Sequence, residues 1–177
     1  MMRNLFTYFC LILVSFFSHA EELEGSVDIE ISGNILARTC DIATADVAKN
    51  VDLHEHDRRA FSQVGDTSPT ESFTIQLENC VVKPNETNSV YMTFSGQSAS
   101  DADLLALSHA GNNGVAKGIA VEILNSGKQR IPLNSEQTYP INAGDNLYTF
   151  GLRYSAISVP VTAGDANAVL YIDLRYE

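Results

Sequence analysis

The chain has no Gly-x-Ser-x-Gly frame around any serine and no glycine-rich phosphate loop following a strand. The commonest nucleophile-elbow and nucleotide-binding chemistries are therefore missing. Basic residues are scarce, with 11 Lys and Arg against 22 Asp and Glu and a net charge of −11. With no basic cluster, this balance argues against nucleic acid or anionic lipid as a partner. There is also no internal repeat and no low-complexity linker, so solenoids and tethered arrays are not indicated. Catalysis is not expected, and no cofactor is implied.

What is present begins with a leader. Arg3 opens a short basic start, an apolar run passes through Leu5, Phe9, Leu11, Ile12, Leu13, Val14, Phe16 and Phe17, and Ser18-His19-Ala20 supplies small residues for cleavage. This is the pattern of a signal peptide. The apolar run is shorter than the roughly 20 residues a spanning helix needs, and Glu21 and Glu22 follow at once. Cleavage after Ala20 would remove Arg3 and Cys10, leaving 10 basic residues against 22 acidic ones, 12 net negative. Cys40 and Cys80 then remain as the one possible pair, and an exported chain is expected to bridge them. Closing a loop of that length contributes about 4 kcal/mol in the chain-entropy description. The length after the leader suits one domain with a real core.

Period-two patterning dominates the rest. Val27, Ile29, Ile31, Gly33 and Ile35 alternate with Asp28, Glu30, Ser32 and Asn34, so an extended chain places its apolar residues on one face. The other end repeats the device, with Ala168, Leu170, Ile172, Leu174 and Tyr176 alternating with Val169, Tyr171, Asp173 and Arg175. Between them come Phe73, Ile75 and Leu77; Val90, Met92 and Phe94; Ile119, Val121 and Ile123; and Tyr148, Phe150, Leu152 and Tyr154. Turn clusters such as Gly111-Asn112-Asn113-Gly114 and Asn142-Ala143-Gly144-Asp145 separate these runs. Many short strands so punctuated predict an all-β sandwich. A sheet edge left unpaired in such a domain invites another chain. Residues 101–110, with Leu104, Leu105 and Leu107, have the composition of either a helix or a compact loop over the sandwich end. A weak strand is expected around residues 51–54.

His54-Glu55-His56-Asp57 would put two imidazoles on one face of a strand, which could begin a zinc or copper site. A structural site needs four protein ligands and a catalytic one usually three, and the only other histidine beyond the leader is His109. A solvated polar strand end is the simpler reading, with a metal-binding periplasmic protein as the alternative. No metal ligand is assigned.

The residues then converge on a known family. Gly33 stands seven residues before Cys40, and Phe73-x-Ile-x-Leu-x-x-Cys80 carries the second cysteine. Asp103-Leu104-Leu105-Ala106-Leu107, Ile131-Pro132-Leu133-Asn134 and Val159-Pro160-Val161-Thr162-Ala163-Gly164 follow, and the sequence closes with Leu174-Arg175-Tyr176-Glu177. Gly164, thirteen residues before the end, and the penultimate Tyr176 form a carboxy-terminal pair. Together these features resemble the chaperone/usher-assembled pilins, in particular the minor subunits FimF and FimG of type 1 fimbriae.

The resemblance implies an incomplete immunoglobulin-like β-sandwich lacking its last strand, with an amino-terminal donor-strand extension. Its implied organisation is a signal peptide at 1–20, the extension at 21–37 and the pilin domain at 38–177. The extension's Val27, Ile29, Ile31 and Ile35 would fill pockets in a neighbouring subunit, with Gly33 at a tight point. Gly164, Leu170, Ile172, Leu174 and Tyr176 would form the groove-edge strand that a chaperone also contacts. Implied partners are a periplasmic pilus chaperone, an outer-membrane usher and the neighbouring fimbrial subunits that donate and accept strands. Implied localisation is export through the periplasm to a surface fimbrium. The expected function is a structural adaptor subunit of an adhesive fimbria, contributing to cell adhesion, with the major shaft subunit as the near alternative.

Overall fold

The computed structural model describes residues 40–82 and 88–176. The leader and the alternating stretch from Val27 to Ile35 lie outside the described residues. Seven strands run in order: β1 (Asp41–Ile42), β2 (Glu71–Cys80), β3 (Ser89–Ser95), β4 (Ile119–Leu124), β5 (Glu136–Pro140), β6 (Gly144–Ala156) and β7 (Tyr171–Tyr176). They form two sheets, ordered β1-β2-β6-β4 and β5-β3-β7, and every ladder is antiparallel. The described domain contains no α-helix; two 3-10 turns, Thr44–Asp46 and Arg58–Ala60, lie in the long connection from β1 to β2.

The period-two runs become strands because alternate side chains can be buried together. On β2, Phe73, Ile75, Leu77 and Cys80 face inward, and on β3, Val90, Met92 and Phe94 are fully buried. Aromatic rings tie the sheets together: Phe150 of β6 sits 4.9 Å from Phe94 of β3 and 5.6 Å from both Phe73 of β2 and Tyr139 of β5. The Phe150 pairs with Phe94 and Tyr139 are edge-on, and such packing adds about 0.5–1.5 kcal/mol per pair beyond area burial. Cys40 and Cys80 are joined in a disulfide, fastening the start of the described domain to the end of β2.

β4 departs from simple alternation, since all six of its residues are buried. Ile119, Val121 and Ile123 belong to the core cluster, and residues 101–110 help to cover the strand. That segment is a looped strap with no helix, in which the backbones of Leu105 and Val121 exchange hydrogen bonds of 2.9 Å. Glu122, 3 % exposed, accepts hydrogen bonds of 2.6 Å from Arg130 Nε and from Arg153 Nε. Burial alone would raise its carboxyl pKa, but the charge-assisted bonds from Arg153 and Arg130 outweigh it and hold the group below its ordinary value.

The expected strand around residues 51–54 does not form. His54 has φ +62°, in the left-handed region, which interrupts any extended run there. β1 and β5 were not legible as strands, because neither carries a run of alternating apolar residues.

Candidate assembly groove along β7

β7 lies at one side of its sheet and, among the described residues, is hydrogen-bonded only to β3. The register pairs Val90 with Tyr176, Met92 with Leu174 and Phe94 with Ile172. These partners occupy one face, yet they differ in burial. The three β3 residues have no measurable exposure, whereas Ile172, Leu174 and Tyr176 are only partly buried against the core. The alternation also extends ahead of the hydrogen-bonded ladder, with Ala166, Ala168 and Leu170 half-buried on the core side and Asn167, Val169 and Tyr171 exposed. A band of apolar side chains therefore runs beside the outer edge of β7, partly covered.

The other face of β7 is pinned by polar contacts. Asp173 accepts a 2.7 Å hydrogen bond from the Ser95 hydroxyl. Arg175 Nη2 donates to both carboxylate oxygens of Glu136 on β5, at 3.0 and 3.1 Å, and its guanidinium lies 4.2 Å from the centre of the Tyr91 ring. β7 is thus held against β3 from the solvent side, leaving its outer edge as the place where another strand can add.

Two expected groove-edge residues are corrected in position. β7 begins at Tyr171, so Leu170 shares its apolar face without joining the ladder, and Gly164 lies well ahead of it. Gly164 stands where backbone meets backbone, because a Cβ there would come within 2.5 Å of Ala116 N, Gly114 O and the carbonyl carbon of Val115. Beside it Asp165 exchanges hydrogen bonds with Ala116 and Gly114, at 2.9 and 2.7 Å. Its part is to let the chain cross residues 114–116 on the way to β7. Ile172, Leu174 and Tyr176 are brought together on the expected face. The donor residues Val27, Ile29, Ile31, Gly33 and Ile35 lie outside the described residues.

The His54–His56 pair does not form a shared site. His54, largely exposed, lies 3.3 Å from Asp52 and 3.7 Å from Glu71, whereas His56 Nε2 is 2.7 Å from the Leu53 carbonyl and its ring packs edge-on against Phe61 and Tyr154. Among the described residues, no group of three or more His, Cys, Asp or Glu is placed to hold a metal ion.

The fold agrees with the comparisons. The sequence model of the family described as fimbrial protein matches residues 29–177. The chain belongs to the fimbrial protein family. This fimbrial subunit is 34 % identical over 155 residues to an uncharacterized fimbrial-like protein of Escherichia coli K12, YcbU, covering 85 % of this chain and 84 % of that one. It is 31 % identical over 169 residues to the fimbrial-like protein FimF of Salmonella typhimurium LT2, covering 94 % of each. The P pilus rod subunit PapA shares the fold, with a TM-score of 0.66 at 21 % identity over 79 % of this chain and all of that one. The subunit is a fimbrial protein with an immunoglobulin-like β-sandwich short of a strand.

Proposed function

We propose that this subunit links to its neighbours by donor-strand exchange, accepting a strand along β7 and offering its own residues 21–37 to the next acceptor. The observation that carries this reading is the contrast on one face of one sheet: the β3 residues fully buried, those of β7 half-buried on a strand that, among the described residues, pairs along one edge alone. A strand added there would complete the ladder and set alternate apolar side chains beside Ile172, Leu174 and Tyr176, the β-augmentation for which pilins are the named example. Val27, Ile29, Ile31 and Ile35 have the spacing required. If these four become buried at roughly 1.5–3 kcal/mol each, the gross gain is about 6–12 kcal/mol before ordering costs.

The leader at 1–20 directs export to the periplasm, where a pilus chaperone occupies the groove until the outer-membrane usher exchanges it for the next subunit's extension. The place of the subunit in the fibre is that of an adaptor near the tip. Counting copies in purified fibres separates this from a shaft role.

The deciding experiment titrates a peptide of residues 26–37, with and without Gly33→Leu, against the chaperone-held acceptor, the preceding subunit of the fibre. The native peptide is expected to displace the chaperone. The leucine peptide is expected to insert much more slowly, because overpacking a tight point costs about 1–3 kcal/mol. Equal rates and extents would remove Gly33 from this role, and failure of the native peptide to insert would overturn donor-strand exchange.

A further inference from the structure

The sequence contains a single Asn-Gly step, Asn113-Gly114, and no Asp-Gly step. The structure places it at the surface, in the turn that follows the 101–110 strap, with both residues exposed. Gly114 has φ +86°, a left-handed value that a side chain would strain, yet a Cβ built there would meet nothing within 4 Å. The turn calls for glycine through its backbone angle and not through crowding. Its hydrogen bonding is as open as its packing. Among the described residues, the Asn113 side chain has no hydrogen-bond partner, and the Gly114 N–H donates to no acceptor. Other asparagines are held. Asn125 Oδ1 accepts from the Gln129 N–H at 3.0 Å, and Asn134 and Asn146 each engage both ends of their amides with neighbouring backbone.

Asparagine is a chemically labile residue, and it is most exposed to attack by the next backbone nitrogen when that nitrogen belongs to glycine, which carries no Cβ to obstruct ring closure. We propose that Asn113 is a self-modification site. Gly114 N loses its proton to hydroxide and bonds to Asn113 Cγ, while the Cγ–Nδ2 bond breaks and the amide nitrogen takes up a proton and leaves as ammonia. One water then opens the cyclic imide at either of its two carbonyls. Opening between Cγ and Gly114 N leaves aspartate at 113. Opening at the main-chain carbonyl leaves isoaspartate, in which the backbone runs through Cγ and is one carbon longer. Either route consumes one water and releases one ammonia, with no oxidation or reduction.

The two products differ in consequence because Gly114 belongs to the crossing that delivers the chain to β7. Its carbonyl accepts from Asp165 N at 2.7 Å, and Ala116 N donates to Asp165 O at 2.9 Å. Gly164 passes so close that a Cβ there would stand 2.5 Å from Gly114 O. Contacts between backbones fix the length of main chain on this side of the turn. The added carbon of isoaspartate displaces Gly114 against Asp165 and loosens the crossing, whereas aspartate adds only a charge to an exposed turn.

The test holds the folded subunit at neutral and at mildly alkaline pH. Peptide mapping by mass spectrometry follows –OH in place of –NH2 at each asparagine, and enzymatic methylation counts isoaspartyl groups. Asn113 is expected to convert at least about tenfold faster than Asn112 or Asn125, and faster still at the higher pH. Conversion no faster than at Asn125 would overturn the site. So would a folded chain that keeps Asn113 intact while the urea-unfolded chain converts, since the turn would then shield the amide. Asn113→Gln, whose closure needs a larger ring, should lose the isoaspartyl signal and keep the wild-type urea midpoint; a persisting signal would place the reaction elsewhere and overturn the site. Asn113→Asp should also keep that midpoint, while the aged wild-type chain unfolds at lower urea in proportion to its isoaspartyl content. An aged chain with an unchanged midpoint, or an equal loss in Asn113→Asp, would overturn the link to the crossing.

Discussion

β4 and β7 are both six residues long, and each has a single hydrogen-bonded strand partner among the described residues, β6 and β3 respectively. They treat their free sides in opposite ways. The chain covers β4 itself: the Leu105 strap bonds to Val121, Leu124 bridges to Arg130, and Glu122 is locked between two arginines. Among the described residues no such segment covers β7, which keeps alternate residues half-buried. Exposed edges are usually blunted by charge, proline or a covering segment. Among the described residues this domain spends those devices on one edge alone, the asymmetry that the proposed donor-strand exchange requires.

The sharpest way to break the comparison is Leu174→Asp. A carboxylate on the groove face would have to be buried when a donor strand docks, at several kcal/mol. Loss of donor-peptide capture by more than about a hundredfold is expected, and recovery of the chaperone-held subunit should fall as well, because both occupy the same groove. Undiminished capture would show that β7 is not the receiving edge.

The equivalent test on the closed side is Arg153→Ala, which leaves Glu122 with one guanidinium. Removing one partner of a buried ionic network costs about 3–5 kcal/mol, read as a lower denaturation midpoint in urea. Little change would mean that Glu122 does not hold β4 to β6.

Gly164→Ala tests the crossing that delivers the chain to β7. The added methyl meets backbone atoms, which cannot rotate away, and a loss of about 1–3 kcal/mol in chemical denaturation is expected. An unchanged midpoint would show that residues 114–116 yield at no cost.

The mildest effect is the pH dependence of the closed edge. Glu122 has a folded-state pKa below its ordinary value, so its contribution is fully present above the unfolded-state value of about 4.3 and is lost as pH falls through the lower folded one. Acid titration of stability should therefore be less steep in Glu122→Gln than in wild type over that window. Identical slopes would place the acid sensitivity elsewhere.

How much of this was legible depended on whether burial alternates. The runs at Phe73–Leu77, Val90–Phe94, Ile119–Ile123 and Tyr148–Tyr154 all became strands because inward and outward positions differ in hydropathy. β5 was hidden because Tyr139 is its one large apolar residue, and β1 because two residues carry no period. The apolar face from Ala166 to Tyr176 was legible through Ala168, Leu170, Ile172, Leu174 and Tyr176; where the hydrogen bonds begin was not, since backbone pairing leaves no mark on side-chain pattern. Gly164 was noticed for its distance from Tyr176, while its cause, a close passage of backbone at residues 114–116, is a tertiary fact. The strand expected under the two imidazoles was not formed, because one left-handed residue, His54, interrupts it.

The Cys40–Cys80 bridge has a mechanical consequence for a fibre built this way. Tension transmitted through an inserted extension enters the domain at Cys40 and leaves across the edge of β7. The disulfide gives that force a covalent short cut from Cys40 to Cys80. Residues 41–79, which include β1, nearly all of β2 and the buried Leu53 and Phe61, stand outside the loaded path. A pull that would otherwise peel the two-residue β1 from its sheet is instead carried past it, so the weakest strand in the domain never becomes the link that sets the strength of the chain.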